Sequence, residues 1–288
     1  MIRLNLSHRT TYRYARPVSL GPHRMMLRPR ERHDLKLTSY SLDVSADAVI
    51  AWAQDVFGNS IATVHFSRNT DHLVIDSRSE LQLEAAPWPV FDVDFSAISY
   101  PFRYSDAEWT DLGALSAPQY ADPAGRLRAW ARRFIKSNPT DTLSLLKDIS
   151  GGISSWINYQ SRDDEGTQTP LETLDRGWGS CRDFAVLLVE AVRALGFGAR
   201  IVSGYLYNPD RDFVGSYGVG STHAWAEIYL PGAGWITFDP TNRSVGSFNL
   251  IPVGVGRDIR QVMPVAGSFH GMTDAFMDMR VEVLIVAN

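Results

Sequence analysis

The chain has a single cysteine among its 288 residues, so it holds no internal disulfide and no zinc site built on several thiolates. It lacks a charge excess. Lysine and arginine number 28 against 32 acidic residues, a net charge of −4, which points to neither a nucleic-acid nor a membrane-surface partner. It also lacks a long apolar run. The N-terminus "MIRLNLSHRTTYRY" alternates instead of presenting a signal-peptide stretch, and no segment reads as a membrane span, so a cytoplasmic protein is the expectation. No repeat and no low-complexity tract is visible. The length suits one large domain or two ordinary ones.

What is present begins as β. Ile2, Leu4, Leu6, His8, Thr10, Tyr12 and Tyr14 share one strand face, and Arg3, Asn5, Ser7, Arg9, Thr11 and Arg13 the other. "KLTSYSLDV" and "HLVIDSRSELQLE" alternate in the same way. "DVFGNSIATVHF" reads as two short strands around a Gly58-Asn59 turn. These predict an N-terminal antiparallel β domain over residues 1–105, ending in the proline-broken stretches "AAPWPVF" and "SAISYPFRYSD". Residues 106–288 then form a second, α+β domain that includes a final strand, "FMDMRVEVLIV". Its helices begin with Asp122 and Pro123 as cap and first position. A second follows from about Thr140 to Trp156. A third is framed by Thr169, Pro170, Glu172 and Gly177.

The cysteine sits where the next helix starts. Ser180 is a good N-cap and Asp183 completes a capping-box pair. Phe184, Leu187, Leu188, Ala191, Val192 and Leu195 keep helical spacing, Val186 and Val189 widen the stripe, and Gly196 ends it. Cys181 thus lies in the first turn, where unpaired N–H groups favour a thiolate. With a nearby imidazolium, such a place lowers a cysteine pKa from about 8.5 to roughly 3.5–7.5. The thiolate is the nucleophile of covalent catalysis, and the N–H of Cys181 is half of an oxyanion hole. A free cysteine is more often a small buried hydrophobe. The cap position, and the small residues Gly177, Gly179 and Ser180 that let a second chain approach the sulfur, favour the nucleophile.

Of seven histidines, His223 follows this helix on a strand, "STHAWAEIYL", sharing a face with Trp225, Glu227 and Tyr229. "GWITFDP" puts Trp235, Thr237 and Asp239 on one face of the next strand. If the loop between the strands has an odd number of residues, His223 and Asp239 face the same way, opposite or diagonal. Asp239 then fixes the imidazole and its other nitrogen faces Cys181. Taken singly, His223 reads as an exposed strand residue and Asp239 as a turn residue before Pro240.

"GWGSCRDFAVLLVEAVRALGFGARIVSGY" and "THAWAEIYLPGAGWITFDPTN", with the order Cys, His, Asp, resemble the core of the transglutaminase-like superfamily, a branch of the papain-like cysteine enzymes. "YRYARPVSLGPHRMMLRPR" with "DVFGNSIATVHF" resembles the N-terminal β domain of the bacterial members, and "VGVGRDIRQVMPVAGSF" their C-terminal segment. The resemblance implies an α+β core with the cysteine helix packed on an antiparallel sheet. It also implies catalytic roles for Cys181, His223 and Asp239. Members are often described as candidate cysteine proteases. Animal transglutaminases use an upstream aromatic as second oxyanion donor. Trp178 and Tyr159 are the candidates here, and with Trp225 they are candidate substrate-binding residues; any of them can equally be a packing residue. No calcium loop is implied, "SRDDEG" reading as a solvated acidic loop, and no cofactor or metal is expected. The expected activity is amide hydrolysis or acyl transfer on a peptide or glutamine through a thioester, hydrolysis favoured. A non-catalytic peptide- or glycan-binding module and an acetyltransferase remain as alternatives. Arg24, Arg28, Arg30 and Arg32 form either a solvated basic face or a site for an acidic ligand.

Overall fold

A computed structural model of the chain describes residues 1–45, 47–162, 166–208, 220–272 and 274–287. The centre of the expected acidic loop, residues 163–165, lies outside them.

The first third is a β sandwich. Strand β1 (Ile2–Leu20) is paired along most of its length with β5 (Thr70–Leu83), which pairs in turn with β2 (Leu35–Val44), all antiparallel. The alternation predicted for β1 is the one observed: Leu4, Leu6, His8, Thr10 and Tyr14 are buried, and Arg3, Asn5, Arg9 and Arg13 are exposed. A second sheet joins β3 (Ala48–Gln54), β4 (Ser60–Phe66) and the short strand His23–Met25. Tyr14, Val18, Leu20, Met25, Leu27, Ala62, Val64, Leu73 and Ile75 fill the space between the sheets.

Five α-helices follow among the described residues: α1 (Asp106–Leu112), α2 (Arg126–Arg132), α3 (Thr142–Trp156), α4 (Pro170–Arg176) and α5 (Cys181–Ala194). α2 starts later than the Asp122-Pro123 signal predicts, because Pro123 and its neighbours form a turn and Gly125 adopts φ 64° before the first helical residue. Asp122 still serves the helix, its carboxylate accepting from the N–H groups of Arg126 at 2.8 Å and Arg128 at 3.2 Å. The core sheet runs β8 (Gly234–Asp239), β7 (Gly220–Leu230), β6 (Ala199–Tyr207), β9 (Leu250–Gly256), all neighbours antiparallel.

α5 is the centre of the molecule. Every residue from Asp183 to Arg193 is buried. Its apolar side chains meet Ala224, Ala226, Ile228, Ile236 and Phe238 of the sheet on one side and α2 and α3 on the other. A helix so enclosed is apolar nearly all round, and each large side chain lost from it costs about 2–5 kcal/mol. Two of its polar exceptions, Glu190 and Arg193, pair with each other. Arg193 donates to Glu190 at 2.7 Å and to the carbonyls of Ala199 and Arg257, while Glu190 accepts from the N–H groups of Gln119 and Tyr120.

Two expectations are corrected here. The final strand, β10 (Phe276–Ala287), does not belong to the second domain. It pairs with β1, from Leu4 opposite Ala287 to Arg13 opposite Asp278, and completes the N-terminal sheet. The arginines at 24, 28, 30 and 32 are not an open basic face. Arg30 donates to Asn59 Oδ1 at 2.6 Å, Arg32 reaches Asp34 and the Leu250 carbonyl, Arg24 reaches Asp55 and the Gln261 carbonyl, and Arg28 lies over the Tyr40 ring. They tie the sandwich to itself and to β9. Gly254 of β9 is a glycine because a Cβ there would collide with the sulfur of Met26.

Candidate active site

The start of α5 is fixed from three directions. Thr169 and Glu172 form the predicted capping box of α4, and Gly177 ends that helix at φ 66°. The next residues pair in parallel with a neighbouring segment, Trp178 beside Asn158 and Gly179 beside Tyr159. Asp183 then gathers the turn. Its Oδ2 accepts from the Ser180 N–H at 2.8 Å and hydroxyl at 2.9 Å, and its Oδ1 from the Gln168 N–H at 2.7 Å and the Arg162 guanidinium at 3.0 Å. Gly179 serves this packing: a Cβ there would press on Asp183 at 2.9 Å and Thr173 at 3.3 Å.

Cys181, half-buried, is the first residue of α5. Its N–H has no acceptor within the helix, and the helix dipole favours negative charge there. Burial alone would push the thiol up. The hydrogen bond and charge of His223 outweigh it, helped by the Ala224 backbone and the charge of Arg182, and the thiol ionises below its ordinary range.

His223 stands on β7 and Asp239 ends β8. The connecting loop, residues 231–233, has the odd length that the register required. Glu227 faces Thr237 and Tyr229 faces Trp235, so Asp239 is diagonal to His223 on the same face. The imidazole Nε2 and Asp239 Oδ2 are 2.8 Å apart, with both side chains buried. Nδ1 is buried too and makes no close hydrogen bond, and the Cys181 thiol is near enough to act on the ring. Burial works against a charged ring, but the Asp239 carboxylate and then Cys181 outweigh it and raise the imidazole well above its ordinary value. For Asp239 burial is likewise outweighed, by His223 and by neighbouring donors, and the carboxyl is held below its usual range. Those donors were not anticipated. Oδ1 accepts from the Thr241 N–H at 2.9 Å and the Asn242 N–H at 3.3 Å, and Oδ2 from the Asn242 side-chain amide at 2.8 Å. The signal was the run Asp-Pro-Thr-Asn, an aspartate placed to accept from the backbone two and three residues on.

Of the aromatic candidates, Trp178 and Tyr159 border the strand pair that leads into Cys181. Trp178 is half-buried under the Arg176 guanidinium, and Tyr159 sets its ring edge-on against Phe184. Trp225 lies beside His223 on β7 but offers no open face. It is fully buried with Val202, Leu206, Leu250 and Val255, so it presents no surface to a substrate. Among the described residues no group of three or more His, Cys, Asp or Glu side chains is arranged to hold a metal ion.

Residues 128–240 match the family model described as transglutaminase-like superfamily, and residues 4–82 match the bacterial transglutaminase-like N-terminal region. The core belongs to the transglutaminase-like superfamily. An uncharacterized protein of Mycobacterium tuberculosis is 28% identical over 310 residues, covering 98% of this chain and 92% of its own. One of Mycobacterium leprae is 26% identical, with both chains covered in full. A protein-glutamine gamma-glutamyltransferase of Pseudomonas aeruginosa is 29% identical over 100 residues, which is 34% of this chain and 14% of that protein. The arrangement of both domains recurs in a solved structure. A crystal structure described as a candidate cysteine protease from Cytophaga hutchinsonii superposes with a TM-score of 0.73, covering 99% of this chain and 91% of its own at 19% identity.

Proposed function

We propose that the protein is a cysteine-dependent acyl-transfer enzyme that cleaves a peptide or glutamine amide through a thioester, with Cys181 as nucleophile, His223 as acid and base, and Asp239 as the group that holds His223. One observation carries the reading. The imidazole is tied through Nε2 to a buried carboxylate at 2.8 Å, while Nδ1 is left to a thiol that is already lowered.

The chemistry follows from that arrangement. The Cys181 thiolate attacks the amide carbon, a C–S bond forms, and the carbonyl electron pair moves onto oxygen. The Cys181 N–H and the α5 dipole stabilise the oxyanion. The intermediate collapses by breaking the C–N bond, and the leaving amine takes the proton held on Nδ1. Water then attacks the thioester and yields its proton to Nδ1; the C–S bond breaks, the acid is released and the ion pair is restored. A primary amine in place of water would give cross-linking. Hydrolysis is favoured because water needs no second binding site.

The test is a panel of peptide and glutamine amides assayed for released amine or ammonia, with and without an added primary amine. Release without added amine is expected, and Cys181→Ala is expected to lower it by about a thousandfold or more. Turnover by Cys181→Ala at the wild-type rate would overturn the reading.

A further inference from the structure

His223 has a neighbour that the reaction does not use. Two residues along β7, Trp225 stacks on the imidazole, with 6.1 Å between ring centroids and 29° between planes. The residue opposite His223 on β6 is Gly204, where a Cβ would collide with the Ile251 carbonyl and with the far edge of the indole. The indole N–H is buried without a hydrogen-bond partner, so packing alone holds the ring.

Part of that packing comes from the other domain. Val202, Leu206, Leu250 and Val255 surround Trp225, and Phe57, from the turn between β3 and β4, closes the cluster. The turn is fixed unusually well for a link between two strands. Asp55 Oδ1 accepts from the N–H groups of Phe57 and Asn59, each at 2.9 Å. Asn59 is fully buried. Its amide donates to the Val255 carbonyl at 2.7 Å, and its Oδ1 accepts from the Val255 N–H at 2.9 Å and from Arg30 at 2.6 Å. The side chain pairs with β9 as a strand residue would, and it places Phe57 against the cluster that contains Trp225.

We propose that the β3–β4 turn of the N-terminal domain is a positioning element for the His223 imidazole: Asn59 locks the turn, Phe57 backs the Trp225 cluster, and Trp225 sets the plane of the ring between Asp239 and Cys181. Phe57, Asn59 and Trp225 are positioning residues that act through His223. This rests on the Cys–His–Asp reading above. It gives the N-terminal domain a part in the chemistry without a contact to substrate. A small loss of ring alignment is enough to matter, because a misplacement of about 1 Å can cost on the order of a hundredfold in rate.

The experiment is alkylation of Cys181 by iodoacetamide in the full chain, followed from about pH 5 to about pH 9, where an activated thiol separates from an ordinary one. Phe57→Ala is expected to slow alkylation at about pH 6 by roughly tenfold and to move the acidic limb of the profile to higher pH, and Phe57→Leu to restore most of both. Val44→Ala, which trims the sandwich core away from the turn, is expected to lower the Tm and leave the profile in place. A folded Phe57→Ala protein with the wild-type profile, or a Val44→Ala protein displaced as far as Phe57→Ala, would overturn the proposal. Should Phe57→Ala not fold, Asn59→Ser takes its place with the same expected and overturning results. His223→Ala separates the two readings. If it matches the wild type, the triad itself fails. If it is slow while Phe57→Ala is not, only the positioning role fails.

Discussion

The domain contact around His8 and the site around His223 hold the same side chain at nearly the same burial, 1% and 3% exposed. His8 projects from β1 onto the core sheet, with Nδ1 2.9 Å from the Tyr205 hydroxyl and Nε2 2.9 Å from the Thr10 hydroxyl. Burial pushes it down to about 4, with Asp76 opposing only weakly. His223 has a bonded carboxylate and a thiol where His8 has two hydroxyls, and it is raised instead. Burial is common to both places; the partner decides the sign. Hydroxyls satisfy a neutral ring and make a structural joint. A carboxylate on one nitrogen, with a thiol nearby, makes a ring that keeps its proton.

Asp239→Asn would break this contrast by turning the His223 site into one like His8. The imidazole should become neutral near pH 7, and Cys181 alkylation and amide turnover should each fall by about a hundredfold or more. An unchanged alkylation rate would show that the carboxylate does not set the charge of the ring.

At His8 the effect is on stability. The unfolded histidine takes up a proton as pH falls below its ordinary 6.5, whereas the folded one resists until about 4. Between those values the unfolded chain binds more protons, so stability declines as pH falls, by as much as ~3 kcal/mol. Urea midpoints measured across this range should show the decline, and His8→Gln should flatten it. At His223 the linkage has the opposite sign: its contribution is present below the ordinary histidine pKa and fades only as alkali removes the proton. The smallest expected effect is that of Tyr205→Phe. It leaves His8 Nδ1 unpaired and should cost about 1–2 kcal/mol at neutral pH, while Cys181 alkylation stays at the wild-type rate. A loss of thiol reactivity there would mean that the two regions are coupled through β6.

The sequence exposed the local chemistry well. The capping residues of α4 and α5 lie within three positions of one another in the chain, and their signals are strong enough to place Cys181 at a helix start. The His223–Asp239 relation needed only strand parity and one loop length. What stayed hidden was set by residues far apart. Nothing in "FMDMRVEVLIV" says that β10 joins β1 rather than the core sheet, because a strand's pattern records its faces and not its neighbour. Arg30 and Asn59 look like surface residues until β9 is brought beside them. Trp225 shares a strand face with His223, as the alternation requires, but the same alternation cannot tell a face open to substrate from one covered by Phe57.

The pairing of β10 with β1 also orders events in time. β1 is made well before β10, so one of its long edges stays unmatched until β10 has been synthesised. Until then that edge is open to any other extended chain, and bringing so distant a partner to it is slow. Because the turn that backs Trp225 belongs to this same sandwich, Cys181 and His223 would reach their final alignment only once β10 has been made and paired.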